Sequence, residues 1–483
     1  MKRYIYGTFL MLFLFLFSGC GEQGNILTGS SVGNSWYVGH GQAEIALPED
    51  TETDEPLYIA GYHGGEEIAG VLDMPCANAV WMGTDADSGI LLLGVDCVGL
   101  GSDTVYAIRS RLADFSAENG CQRVFVYATH THAGIDTLGL WGPTAVDGKN
   151  RAYMENLISS AVSAAEAAYV ARKCGALYFG AAETEGLQED SRAPYVYDET
   201  LYQLRFVPKD DSAGTRIVFF AAHAESLRGD NRLLSRDFPG VMADTIRAET
   251  GDGTLFVPGA IGGLVMTPVL LDESTADGDP DFYIKNCTAT GKALAACALS
   301  ISPDDETAVL PSYAFAETEY AVPLDNTVFL YYRFLGILGN PLTRNSDSET
   351  GYALHTSCAA LRLGDSITIA MLPGEIFPEL VYSDTEFSAA GVGYALTDET
   401  FPSLSALAEE YGMGTLLIAG LCGDETGYIL PPGDYLVNPD LPYFEGAEDD
   451  SGENHYEETN SAGIRAAQCL AEAMENVFRA VGK

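Results

Sequence analysis

The sequence predicts an α/β fold: mixed sheets flanked by helices, in one body running from residue 35 to 483. Three observations predict it. Apolar runs of strand length alternate with helix-period segments along the chain. The stretch 89–129 reads strand, helix, strand, the unit that sets two strands parallel. No internal repeat or low-complexity linker interrupts 35–480. Composition agrees. Hydrophobic residues make up 47% and charged residues 19% of the 483, which excludes a disordered chain. With 52 Gly and 21 Pro a coiled coil is excluded too. The 25 Lys and Arg stand against 69 Asp and Glu, a formal charge of −44. A body this acidic repels phosphate backbones, so nucleic acid is not an expected partner.

The first nineteen residues lie outside that body. Lys2 and Arg3, an apolar run over 4–17, and Ser18-Gly19 have the layout of a secretory signal. The run falls short of the roughly 20 residues a spanning helix needs. A cysteine directly after two small residues resembles a bacterial lipoprotein signal, although Phe17 stands where Leu is usual. That resemblance implies a lipid on Cys20, a small, polar tether over 20–34, and export to the cell envelope with the body held at a membrane by its acyl chains. Simple cleavage near the same place is the alternative.

The body reads in order as follows. Residues 89–100 form an apolar strand. Val105, Ile108, Leu112 and Phe115 mark an amphipathic helix over 103–118, and 122–129 returns to strand. An Ala-rich helix spans 151–172, with strands at 175–183, 200–207 and 216–222. A helix at 238–249 leads into a strand at 254–258, and another strand covers 314–324. A hairpin joins 358–363 to 366–372 across Gly364-Asp365. Helices follow at 377–388 and 402–411, a strand at 415–420, an acidic loop at 445–453 and a closing helix at 462–481. Besides Cys20 there are nine cysteines, an odd number with no CxxC pair, which excludes a cysteine zinc knuckle. Most sit in apolar contexts and read as buried thiols, with one or two disulfides left open.

The seven histidines carry the chemistry. His130 and His132 stand in ATHTHAG directly after a strand. In extended backbone residues i and i+2 face the same way, so both imidazoles can enter one pocket and form part of a zinc site. Two exposed or core-satisfied histidines are the alternative. His223 also follows an apolar strand, and strand ends on one side of an α/β sheet are where ligand sites collect. Glu375, in PGE after the strand ITIAML, reads either as a carboxylate ligand or as an acid favoured at a helix N-terminus. Tyr428 in GYILPPGDY reads by itself as a packed ring at a turn. Asp96 reads as a buried carboxylate beside the site or as a turn contact. His40, His63, His355 and His455 are expected to be structural.

Six segments in order resemble the neutral/alkaline ceramidase family. ATHTHAG, with Thr129, His130, Thr131 and His132, is similar to its metal-binding motif. DSRAPYVY, with Arg192 and Pro194, resembles an Asn-Arg-Ser-Pro segment. FFAAHAESLRGDNRLLSRDFPG resembles the second-histidine segment, FVPGAIGGLVMTP one ending in Ser-Pro, MLPGEIF the PGE motif, and GYILPPGDY a Tyr-Val-Thr-Thr-x-x-Glu-Tyr region. The resemblance spans about 300 residues (129–435). It implies a zinc amidohydrolase with the family's catalytic domain and without its immunoglobulin-like C-terminal domain.

The resemblance further implies zinc held by His130, His223, Glu375 and Tyr428. His132 and Arg192 would face the substrate: His132 carrying the proton to the leaving amine, Arg192 or Tyr428 steadying the oxyanion. The reaction implied is hydrolysis of the N-acyl amide of ceramide or a related lipid by a metal-activated water. Departures bear on the substrate. Thr267 replaces Ser before Pro, Ala133-Gly134 replaces a Ser-Gly-Pro continuation, and Gly423-Asp424-Glu425 lacks a tyrosine seen in relatives. An esterase, lactonase or small-amide hydrolase, or a non-catalytic lipid-binding lipoprotein, are the other readings.

Overall fold

The run Gly89–Val95 is buried at every position, so it needs cover on both faces. The structure, a computed structural model, describes residues 24–49, 55–383, 401–449 and 452–482. It supplies that cover with helices on one side and a second sheet on the other. The first sheet runs in the order Gly253–Pro258, Thr215–Phe220, Thr200–Pro208, Lys173–Glu183, Trp36–Glu44, Cys76–Gly83, Gly89–Val95, Cys121–Ala128, with Thr307–Val309 added on Lys173–Glu183. Its two outer pairs are parallel and each is joined through helix, by Ser102–Arg111 and Ala113–Glu118 at one edge and Asp237–Thr250 at the other. The pairs between them are antiparallel.

The second sheet runs Leu27–Val32, Ser312–Leu324, Tyr352–Leu363, Ile367–Met371, Thr415–Ala419, and its last pair is parallel. Residues alternating along both sheets meet between them: Met82, Leu92, Phe125 and Tyr127 against Phe315, Leu361, Leu363 and Ile369. Outside the first sheet, Trp81, Leu91, Val124 and Val126 pack under Ile108, Leu157 and the alanines 161, 164, 165 and 168. Helices Asp237–Thr250 and Phe282–Ser300 cover its other half. The outer face of the second sheet is closed by Leu404–Glu410 and by Ala466–Val481, whose Leu470, Met474, Val477 and Phe478 all point inward.

The strand–helix–strand unit at 89–129 stands as expected, parallel, with its helix interrupted at Leu112. The hairpin also stands, Leu363 opposite Ile367. The tether reading is corrected. Residues 27–32 form an edge strand, Leu27 opposite Glu317 and Val32 opposite Ser312, so the body begins before residue 35. Main-chain hydrogen bonds hold this polar strand, and its composition therefore carried no apolar signal. Strands Trp36–Glu44 and Cys76–Gly83 and helix Phe282–Ser300 went unread because small residues pack them closely without a strong apolar period. Within 377–388 the helix is limited to Glu379–Tyr382, and 384–400, like the signal segment and Cys20, lie outside the described residues. Cys76, Cys97, Cys121, Cys174, Cys287, Cys297, Cys358 and Cys422 are free thiols. No helix among the described residues is long and apolar enough to cross a membrane.

Candidate metal centre

Four strand ends build the site. Cys121–Ala128, Thr215–Phe220, Ile367–Met371 and Thr415–Ala419 each belong to a parallel pair, so each pair delivers the loops after its carboxyl ends to one side. Those loops carry His130 and His132, then His223, then Glu375, then Tyr428. Backbone contacts fix their mutual placement. Gly423 N–H donates to Val126 O (2.7 Å) and Ala128 N–H to Leu421 O (3.2 Å), which ties the ends of the two sheets together. Thr131 bridges Ala224, His223 bridges Met266, and Glu375 lies in register with Tyr428 in a short parallel ladder.

The imidazoles are oriented by carbonyls. His130 Nδ1 lies 2.6 Å from Val98 O and His223 Nδ1 2.9 Å from Val265 O. A carbonyl only accepts, so each Nδ1 carries a proton and each Nε2 is the nitrogen turned to the interior. His130 takes φ 64°, a left-handed conformation that few non-glycine residues adopt. Glu375 Oε2 stands 2.9 Å from His223 Nε2 and 3.4 Å from His130 Nε2, and His132 Nε2 stands 3.1 Å from His130 Nε2. A tetrahedral ion with bonds of about 2.0–2.1 Å spaces its ligand atoms by roughly 3.3 Å, so this donor set fits a divalent metal. The three histidines alone bring their ring nitrogens within 4.8 Å of one another.

Charge completes the picture. Burial pushes the Glu375 carboxyl up, but His130 and His223 outweigh it and hold the group well below the usual carboxylate range. Burial pulls His223 down, and Glu375 reverses this, raising it to about 9. His132 is held well below the ordinary imidazole value by burial and then by its two neighbouring imidazoles. Asp96, raised to about 6 by burial, accepts from Cys76 N–H (2.9 Å) and Thr129 Oγ1 (3.1 Å), and so anchors the start of the histidine motif.

Gly374 is required by the turn that presents Glu375. Its φ is 75°, and a Cβ there would fall 2.3 Å from Gly427 O, the carbonyl next to Tyr428. Gly374→Ala is expected to cost about 1–3 kcal/mol and to weaken metal binding, read by thermal denaturation and metal titration.

These groups line a cavity of ≈ 480 Å³. One wall is apolar, with Leu138, Leu140, Trp141, Phe329, Leu338 and Leu354; no lysine or arginine among the described residues lines it. Sequence reasoning missed several lining residues. Tyr62 Oη donates to Glu225 Oε2 (2.6 Å), which lies 3.7 Å from His132 Nδ1. Glu225 was within reach, because the i, i+2 rule that pairs His130 with His132 also pairs His223 with Glu225. Glu425 Oε1 accepts from Gly427 N–H (2.8 Å) while Oε2 has no partner. Tyr62 and Tyr456 come from loops without periodic signal. His63, expected to be structural, is exposed and lines the cavity.

Tyr428 lines the cavity, buried, beside Glu375. Arg192 does not, and this corrects the expectation of a substrate-facing guanidinium. It is 2% exposed, and its nitrogens donate to Asp434 (2.9 and 3.2 Å), Glu457 (2.8 Å) and Glu458 (3.0 and 3.3 Å), with His455 Nδ1 at 2.9 Å. Three carboxylates outcompete any role at the cavity. Arg192 instead pins the segments that follow Tyr428 and Tyr456. His455 stays structural within this cluster. Thr267 is buried against Ser226 Oγ (2.8 Å), away from the cavity lining.

No family model matches the chain, and no curated protein does. Two sheets face to face between helices, with a histidine–carboxylate cluster at the strand ends, place the chain in the neutral ceramidase class of fold. In particular, it matches the crystal structure of neutral ceramidase from Pseudomonas aeruginosa with a TM-score of 0.69 at 14% identity, over 93% of this chain and 75% of that one. A ceramidase described as complexed with C2 matches with a TM-score of 0.67 at 15% identity, over the same shares.

Proposed function

We propose that the chain is a zinc-dependent hydrolase cleaving the N-acyl amide bond of ceramide or a related N-acyl lipid. The observation that carries this reading is the convergence of three imidazoles and Glu375 in a partly apolar cavity of the neutral ceramidase fold. His130, His223 and Glu375 would hold the metal, with Tyr428 beside them. Zinc, when bound, supplies Lewis-acid polarisation of a carbonyl and lowers the pKa of water to about 7.

The chain's own groups do the rest. The carbonyls of Val98 and Val265 keep Nε2 of His130 and His223 free to bind. His132, neutral through burial, would take the proton given up by the attacking water at Nε2, the nitrogen that faces His130, and pass it to the departing amine. Tyr428 keeps its phenol proton, because burial and then Glu375 push its pKa well up, and so can donate to the developing oxyanion. Phe329, Trp141 and Leu338 keep bulk water from the reacting bond. The cavity volume of ≈ 480 Å³ also suits the second reading, a zinc hydrolase of small amides or esters, because a two-chain lipid must leave its tails outside.

The deciding experiment compares N-acyl sphingosines with matched esters and lactones, using protein stripped by a chelator and then reloaded with zinc. Activity lost on chelation, restored by zinc and highest on the amide is the expected result. Full activity in the metal-free protein overturns the reading.

A further inference from the structure

The helix Thr327–Phe334 has two different faces. Phe329 turns inward and lines the cavity. Tyr331 and Phe334, three residues apart on the other side, are 54% and 66% exposed, and the adjoining Leu335 is 45% exposed. Large apolar side chains left in water side by side mark a contact surface.

Two features say what covers it. The first is charge. In a chain with 25 basic and 69 acidic residues, Arg333 and Arg344 beside this patch have no ion pair among the described residues. Arg333 Nε donates to Asn340 O (2.6 Å), and Arg344 stacks over the Tyr352 ring at 4.3 Å, itself 5.9 Å from the Phe334 ring. Apolar rings flanked by guanidiniums without a carboxylate partner among the described residues match a bilayer surface, with acyl chains below and phosphates around them.

The second feature is chain direction. Leu27–Val32 runs antiparallel to Ser312–Leu324 with Leu27 opposite Glu317, and Gly24 N–H donates to Glu319 O. Toward the amino terminus the chain therefore heads for Leu324, the end where helix Thr327–Phe334 begins. Leu354, which lines the cavity, pairs with Val322 at this same end. The described chain thus begins at this end, and the apolar run 4–17 precedes it in the sequence.

We propose that the outer face of helix Thr327–Phe334, with Tyr331, Phe334 and Leu335, is a membrane-contact surface that sets the cavity mouth against a phospholipid bilayer. This rests on the lipid-amide reading only for what the cavity receives. The test uses the chain from residue 20 with Cys20→Ser, so that no acyl chain contributes, and phosphatidylcholine vesicles at 0.15 M salt. The triple variant Tyr331→Ser/Phe334→Ser/Leu335→Ser is expected to partition onto vesicles at least about 10-fold more weakly, with unchanged thermal midpoint, zinc content and rate on a micelle-free short-chain substrate. Phe334→Leu, which keeps the apolar surface, is expected to retain binding. Equal partition of the triple variant, or no partition of the parent protein, overturns the proposal. So does a parent dimer that the triple variant converts to monomer, because the patch would then be a subunit interface. Vesicle binding involves no turnover, so failure of the hydrolase reading would leave this result standing.

Discussion

Replacement of His223 by alanine is expected to abolish stoichiometric zinc and to lower kcat/KM at least about 10³-fold, the several kcal/mol that a Lewis-acid metal contributes. His223 Nε2 faces Glu375 at 2.9 Å, and its Nδ1 is committed to Val265 O, so no other atom of the ring is available to substitute. Glu375→Gln is the companion variant. It keeps the volume, removes the charge opposite His130 and His223, and is expected to fail in the same way. His132→Ala is the discriminating control. If His132 moves protons and does not hold the ion, this variant keeps its zinc and loses rate, by about 10²–10⁴-fold. Zinc content by elemental analysis and kcat on the amide substrate read all three. Zinc retained in both His223→Ala and Glu375→Gln would sink the proposed ligand set. Zinc lost in His132→Ala would make all three imidazoles ligands.

Arg192→Met is expected to destabilise the fold by about 3–5 kcal/mol while leaving the cavity chemistry intact in whatever protein remains folded. The guanidinium is the one arginine or lysine group, among the described residues, that pairs with Asp434, Glu457 and Glu458, whose side chains are 4%, 1% and 0% exposed. Without it, three buried carboxylates face one another with only His455 between them. The loss should depend on pH. Burial already raises Asp434 to about 6 and Glu457 to about 7, partly offset by Arg192. A carboxyl with a raised folded pKa stays protonated in the fold where the unfolded chain has already ionised, so stability falls as pH rises from the ordinary carboxylate value through the raised one. Removing Arg192 raises these values further. The deficit of Arg192→Met should therefore be small near pH 5 and grow toward pH 8, in denaturation followed at both. Arg192→Lys, a point charge without the planar fork, should recover only part of it. A variant of unaltered stability but reduced kcat would restore the substrate-facing role that the sequence suggested.

Arg192 shows where local pattern stops. Its segment matched a family motif in order along the chain, and nothing in DSRAPYVY tells that Asp434, Glu457 and Glu458, more than 240 residues away, close around it. His130, His223 and Glu375 were legible for the opposite reason. Each follows an apolar strand within four residues, a local feature, whereas Tyr428 was marked only by the resemblance of its segment. Glu225, Glu425, Tyr62 and His63 carry no such mark and joined the cavity only through loop packing.

The sequence by itself determined the α/β class, the strand–helix–strand unit at 89–129, the hairpin at Gly364-Asp365, and which strand ends bear the imidazoles and the carboxylate that meet in the cavity. Apolar period and residue chemistry are local, and they survive in a string. Only the tertiary structure decided that two sheets stack, that residues 27–32 complete one of them, that Arg192 is buried in an ion cluster, and that Phe329 of helix Thr327–Phe334 lines the cavity. Each of these depends on contacts between segments far apart in the chain, and long-range pairing follows from the closest packing of the whole molecule, which no short stretch encodes.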